Sequence, residues 1–274
     1  MNRASRNAIR LITRADDAGS ARTADRAILE TIERGIVRNV SLMAVGPTIG
    51  HAAELLAGRK DVCFGVHATL NAEWSGVRWG PAAPPEQVPS LLEPGGAFFT
   101  RAPRAFLERP PAIAEVMAEL QAQLDRLRGL GFAIGYADTH MVFEWALPAV
   151  AEPFDRWCER EGLRNYRRYS RPLPEADPAG DGRAPGEGAE PRDPAAGLIA
   201  RLERAAPGQY LVVGHPGCDE PDMRRLGSPD YPSARVVADR IGERLLFTRP
   251  DVLDCCERIG VTPIRYDEAE PLEA

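Results

Sequence analysis

Short apolar runs alternate with segments of helical period along the chain, and this alternation points to an α/β fold with parallel strands. Apolar runs at 9–13, 40–45, 62–66, 134–137 and 210–213 have the length of buried strands. Ala24, Ala27, Ile28 and Ile32 share one helical face before Gly35. Ile49, Ala52, Ala53 and Leu56 share another after Gly46-Pro47. Ile113, Val116, Met117, Leu120, Leu124 and Leu127 predict a helix ending near Gly129. Leu147, Val150, Phe154 and Trp157 predict one that stops at Gly162, and 198–202 a short one. Alternation continues through 252–259 and 261–266. About seven strand–helix units result, without internal repeat, and a closed or nearly closed barrel is the simplest architecture.

Two stretches break the pattern inside what reads as a single domain over residues 1–274. The connection at about 69–111 has no periodicity and exceeds the roughly 12–15 residues usual for a compact domain, so it is expected to be functional. It holds Trp74, Trp79, Phe98 and Phe99, which favours an ordered, ligand-facing excursion. Residues 172–194 are rich in Pro, Gly, Ala and Asp, carry no apolar stripe, and read as a mobile surface insertion.

Composition narrows the partners. With 34 basic and 40 acidic residues the net charge is −6, which argues against binding along a nucleic-acid backbone. The arginines at 164–171 have acidic neighbours and read as a solvated face. Five cysteines without CxxC spacing indicate neither a disulfide framework nor a thiolate zinc site. No apolar run approaches the roughly 18 residues of a membrane span, and residues 1–10 lack the apolar core of a secretory signal. The expectation is a cytoplasmic protein without membrane or nucleic-acid partners, with a homodimer compatible with all of this.

Only four histidines occur, and His67, His140 and His215 each sit just past an apolar strand. Asp16-Asp17 sits in the same kind of place after the first strand. In parallel β/α barrels those ends converge on one rim, so four such punctuations define a common site. One carboxylate and two imidazoles make a metal-ligand set with open positions for water and substrate. A second carboxylate can take a proton from water there, and a further histidine can protonate a leaving amine. Neighbouring Asp residues on an extended chain point apart, so one can reach a metal while the other does not. An Asp ahead of a helix also serves as an N-cap, which accounts for one of the pair at most. His51 lies on the polar side of its helix and receives no role.

The motifs resemble those of the YdjC-like carbohydrate deacetylases, also called the ChbG/HpnK group. RADDAGS at 14–20 is similar to the family's ADDFG opening. GIVRNVSLMAVGP at 35–47, FGVHATL at 64–70 and VPSLLEPGGAFF at 88–99 follow in the family's order. ADTH at 137–140 and GHPG at 214–217 complete the set. The resemblance implies a distorted seven-stranded barrel of the polysaccharide-deacetylase (NodB-like) type that hydrolyses N-acetyl groups on amino sugars. By motif position it implies Asp17, His67 and His140 as metal ligands, Asp16 as catalytic base, and His215 as acid or oxyanion partner. The chain departs from the pattern at Ala18, where the family has Phe, and at Met141, Val142 and Phe143, where further histidines are common. A differently shaped site is the expected consequence.

The expected activity is therefore removal of an N-acetyl group from a small carbohydrate, with one divalent ion as cofactor. Imidazole ligands suit Zn2+, and a carboxylate with several waters suits Mg2+. Trp74 and Trp79 are candidates to stack on a sugar ring, or else to pin their own loop to the barrel. Two alternatives use the same barrel: a sugar-binding or regulatory protein without turnover, and a metal-dependent esterase.

Overall fold

In the computed structural model the residues described are 8–101, 103–169, 171–175 and 193–272. Seven strands form one sheet in which every pairing is parallel, in the order β5-β4-β3-β2-β1-β6, with β7 also paired to β1. In chain order they are β1 (Ile9–Ala18), β2 (Asn39–Leu42), β3 (Cys63–Ala68), β4 (Ile134–Thr139), β5 (Arg164–Asn165), β6 (Gly208–Gly214) and β7 (Val261–Ile264). The sheet curls. Beyond β5, Pro172 bridges Leu211 of β6, and the Leu211 N–H donates to the Arg171 carbonyl at 2.6 Å. The curled parallel sheet with its helices agrees with the expected distorted seven-stranded α/β barrel.

The helices are α1 (Arg22–Glu33), α2 (Ile49–Leu56), α3 (Arg104–Glu108), α4 (Ile113–Gly129), α5 (Ala151–Glu161), α6 (Pro194–Arg204), α7 (Ser233–Thr248) and α8 (Pro250–Ile259). They cover strands whose own residues are buried throughout β2 and β3, the pattern of a parallel sheet enclosed on both faces. The apolar stripes read from the sequence turn inward: Ala24, Ala27, Ile28 and Ile32 of α1 and Val116, Leu120, Leu124 and Leu127 of α4 are buried. Gly162 and Gly260 close α5 and α8 in the left-handed conformation, which a side chain would disfavour. Among the described helices, none is long and apolar enough to cross a membrane.

Three features depart from the pattern legible in the sequence. Strands β1 and β3 run on through Asp16-Asp17 and His67; His67 is held by ladder pairing, while Asp16-Asp17 fall in a register irregularity between Ala15 and Ala18. The 16-residue helix α7 has no clean apolar stripe, with only Val236, Val237 and Phe247 buried, and the alternation did not reveal it. Of the Pro/Gly-rich insertion, Leu173 is buried and Pro194 opens α6, whereas 176–192 lie outside the described residues.

Close packing around β3 shows at Gly65. An added Cβ there would lie 2.2 Å from the ring of Tyr136 on β4, a fully buried side chain whose hydroxyl bonds Ser41 at 2.9 Å. Gly65→Ala is expected to destabilise the protein by about 1–3 kcal/mol, because the ring has no room to retreat. Gly50→Ala on α2, where nothing lies within 4 Å, is expected to be neutral or slightly stabilising. Thermal unfolding of both variants checks the pair; equal stabilities would contradict this packing account.

Candidate active site

The site forms where β1, β3 and β4 end. β1 pairs with β2 in register as far as Ala15 and slips before Ala18, and within that irregularity Asp17 has a left-handed backbone with φ 67°. Such irregularities re-aim side chains, and here the two carboxylates diverge. Asp16 turns to Arg14, which donates Nε to Oδ1 at 2.7 Å and a terminal nitrogen to Oδ2 at 2.8 Å. Asp17 turns the other way, toward His67 and His140. Helix α1 starts after Ala21, so neither carboxylate is its N-cap residue. The turn after Asp17 is held instead by Asp25, which accepts the Gly19 N–H at 2.7 Å and meets His51 Nδ1 at 2.8 Å.

Asp17 Oδ1 lies 3.4 Å from His67 Nε2 and 3.4 Å from His140 Nδ1, and those two nitrogens are 3.1 Å apart. Atoms bound about 2.1 Å from one cation would lie roughly 3.0 Å apart in octahedral and 3.4 Å apart in tetrahedral geometry. Asp17 Oδ1 is also buried without a hydrogen-bond partner, which is costly for a carboxylate oxygen unless a cation meets it. The donor set therefore fits a divalent metal. Asp17 Oδ2 is taken by Arg240 of α7 at 2.8 Å, leaving Oδ1 for the ion. A second acidic and imidazole group, Asp16, His67 and Asp138, is already occupied by the guanidinium of Arg14, 3.2 Å from Asp138 Oδ2.

Electrostatics follow from burial and pairing. Burial works to raise Asp17, but Arg240 and the two imidazoles hold it well below the usual carboxylate range. Asp16 is raised, with burial outweighing Arg14. Burial alone would lower His67; Asp138, Asp16 and Asp17 overcome it and take it to about 10. His140 is likewise carried to about 9, against burial, by Glu73 and Asp17. His67 and Asp138 are register partners on β3 and β4, and Nδ1 meets Asp138 Oδ2 at 2.6 Å.

Directly after His140 the chain turns through Met141 and Val142, both left-handed at φ 56° and 47°. For a β-branched residue that conformation is strained by about 1–3 kcal/mol. The turn buries Phe143 and sends Met141 and Trp145 into a cleft of about 830 Å3, which Glu73, Trp74, Arg101 and Tyr231 also line. Trp79 is elsewhere: it is buried and its Nε1 donates to the Asn71 carbonyl at 2.7 Å. The long connection is thus ordered, with both tryptophans buried in the core and Trp74 also on the cleft wall.

His215 follows β6 and is part-exposed. Its backbone N–H donates to Glu243 Oε2 at 2.8 Å, and Nδ1 meets the same oxygen at 3.0 Å. Glu243 lies three residues after Arg240 on α7, so one helix face serves both Asp17 and His215. Arg14, Glu73, Asp138, Arg240 and Glu243 were not singled out from the sequence. Arg14-x-Asp16 and Asp138-x-His140 carry a readable signal, since alternate residues of a strand share a face. Glu73, Arg240 and Glu243 reach the site only through tertiary packing.

A family model for the YdjC-like protein family matches residues 10–258. Carbohydrate deacetylases from Homo sapiens and Mus musculus are 36% and 35% identical to this chain over 168 and 162 residues, covering 60% and 58% of it. One from Geobacillus stearothermophilus is 30% identical over 168 residues, 61% of each chain. The chain spans about half the length of the two mammalian relatives, 49% and 50%. A crystal structure from Enterococcus faecalis V583, described as a cellobiose-phosphate cleavage protein, aligns over 95% of this chain and 98% of its own, with a TM-score of 0.69 at 19% identity. It shares the fold.

Glu243 supplies a test of this geometry. Burial pushes it up to about 7, helped by Asp17 and opposed by Arg240. From about pH 4.5 to 7 the folded protein keeps a proton that the unfolded chain has released, so this group lowers stability as pH rises through that window. Glu243→Gln removes the effect. Between pH 5 and 8 the variant is expected to gain roughly 1–3 kcal/mol relative to the wild type, read by urea unfolding in a chelator. An identical pH dependence in the two proteins would refute the assignment.

Proposed function

The chain belongs to the YdjC-like family, and on that premise we propose that it is a metal-dependent hydrolase that removes N-acetyl groups from a small carbohydrate. One observation carries the reading: Asp17, His67 and His140 converge on one point, with a second carboxylate, Asp16, beside His67 and a cleft adjoining through Glu73 and Met141. A bare binding site has no need of that second carboxylate. Relatives named carbohydrate deacetylase supply the bond type, and the cleft supplies room for a saccharide.

Asp17, His67 and His140 would hold the ion, Zn2+ or Mg2+. When bound, it polarises the acetyl carbonyl and makes water easier to deprotonate. Asp16 accepts the proton of the attacking water; its raised pKa makes it a stronger base than a solvent carboxylate. Arg14 fixes that carboxylate through two bonds and keeps it from rotating. As water adds to the carbonyl carbon and the C–N bond breaks, His215 donates a proton to the departing amine, and acetate and the amino sugar leave. Glu243, bonded to Nδ1, orients the ring so that Nε2 is the nitrogen available to substrate. Trp74 on the cleft wall offers a flat face to a sugar ring, while Trp79 from its buried position braces the loop. We propose that residues 1–274 carry one catalytic domain and that it acts in the cytoplasm.

Acetate release from small N-acetylated saccharides, assayed with Zn2+ and Mg2+ in turn, is the direct test. Asp16→Asn is expected to lose on the order of 10²–10⁴-fold in turnover while metal affinity stays within a few-fold. Normal metal binding with no acetate from any sugar would sink the deacetylase reading. A second expectation concerns protons. Because His67 and His140 sit at about 10 and about 9, both are protonated at pH 7 and must shed their inward protons to a cation. Calorimetry in buffers of different ionisation enthalpy should show close to two protons released per ion at pH 7, and affinity rising with pH. Release of none would show that both imidazoles are already neutral before the ion arrives and would refute their raised proton affinities.

A further inference from the structure

We infer that Glu73, supplied by the long excursion after β3 rather than by a strand end, is the positioning residue that turns His140 toward the metal. The inference rests on the reading of Asp17, His67 and His140 as a metal site.

The two imidazoles present opposite nitrogens to the common point. His67 offers Nε2 and gives Nδ1 to Asp138, its register partner on the neighbouring strand. His140 offers Nδ1, so its free nitrogen is Nε2, on the far side of the ring from anything a strand end provides. That nitrogen lies 3.2 Å from each carboxylate oxygen of Glu73. A ligating imidazole needs an acceptor for its outer N–H, because that bond selects the tautomer and holds the ring plane. Asp138 meets the need for His67, and Glu73 meets it for His140.

Glu73 is held still for the purpose. Thr69 is clamped to Gln123 of α4 by two bonds, from the Thr69 N–H at 3.0 Å and to the Thr69 carbonyl at 2.6 Å. The Asn71 carbonyl accepts from buried Trp79, and the Ala72 N–H donates to the Phe99 carbonyl at 3.1 Å. The segment leading to Glu73 is therefore fixed from three sides. Asn71 then donates Nδ2 to Glu73 Oε2 at 2.9 Å and also contacts Met141 Sδ at 3.0 Å, tying the carboxylate to the residue that follows His140. With its side chain 13% exposed, Glu73 is sheltered enough for the ion pair to count. The same carboxylate forms part of the cleft wall, so the competing account is a contact to substrate alone.

Zn2+ affinity measured without sugar separates the two accounts. Glu73→Ala is expected to weaken Zn2+ binding about 10–100-fold. Glu73→Gln, which keeps an acceptor oxygen and the same shape, is expected to recover most of that loss. The visible absorption of the Co2+-loaded protein should shift in Glu73→Ala and less in Glu73→Gln. Unchanged Zn2+ affinity and Co2+ spectrum in both variants overturn the inference, including the case where only KM rises. If Glu73→Ala does not fold, Glu73→Gln decides: it must stay within a few-fold of wild type in affinity and show a smaller but measurable spectral change. A wild type that binds no Zn2+ overturns the metal site and this inference with it. A wild type that binds Zn2+ but releases no acetate overturns the deacetylase reading and leaves the role of Glu73 standing.

Discussion

Everything at the rim depends on how its buried charges are balanced. Four carboxylates, Asp16, Asp17, Asp138 and Glu73, face two guanidinium groups, Arg14 and Arg240, and the two imidazoles of His67 and His140. Without the imidazole protons the cluster carries two negative charges in excess, and a low-dielectric interior does not tolerate that. Two imidazolium ions cancel them, which is why both histidines hold their protons so far above the ordinary range. One divalent cation cancels them equally well with the imidazoles neutral. Imidazole protons and a divalent cation are thus two alternative ways of meeting a single deficit.

That balance requires the chain to hold each group against its neighbours' pull. β1 does so by breaking its own register at Asp16-Asp17, which separates two adjacent carboxylates into different surroundings. The turn after Asp17 has no slack: an added Cβ at Gly46 would sit 2.3 Å from the Gly19 carbonyl oxygen. Asp25 and His51 lock it from α1 and α2. At the other end of the site, the strained Met141-Val142 turn reverses the chain as soon as His140 has been placed. Among the described residues the left-handed non-glycine positions, Asp17, Met141 and Val142, all fall at or beside the Asp17, His67 and His140 cluster, where packing on β1 and β4 can sustain the strain.

The strands and the rim are legible in the sequence because both are local patterns. Apolar runs of buried-strand length announce the sheet, and Asp or His after such a run announces the rim. The apolar runs stop at 13 and 66, short of the true strand ends, because polar Arg14, Asp16 and His67 interrupt them while the ladder continues through. Trp74 and Trp79 have the same chemistry, sit five residues apart and are both buried, yet Trp74 also reaches the cleft wall. Nothing local to either tryptophan encodes that choice; Asn71, on the far side of a turn, makes it. Helix α7 is hidden for a related reason, since most of its surface is only part-buried and its function lies in two polar residues.

Those two residues also explain why the site behaves as one object. Arg240 holds Asp17, and Glu243, one turn further along α7, holds His215. Asp17, His67 and His140 stand at the ends of β1, β3 and β4, and His215 follows β6, which pairs β1 directly with Gly214 opposite Ala15. That ladder sets the spacing of Asp16-Asp17 and His215 directly, and α7 adds a second tie between them. A helix spanning both fixes the separation of Arg240 and Glu243 by its own rise, about 1.5 Å per residue. The charge of Asp17 is also felt at Glu243, which raises the proton affinity of the carboxylate that orients His215. Asp17 and His215 are therefore coupled electrostatically through α7 as well as through the β1–β6 ladder.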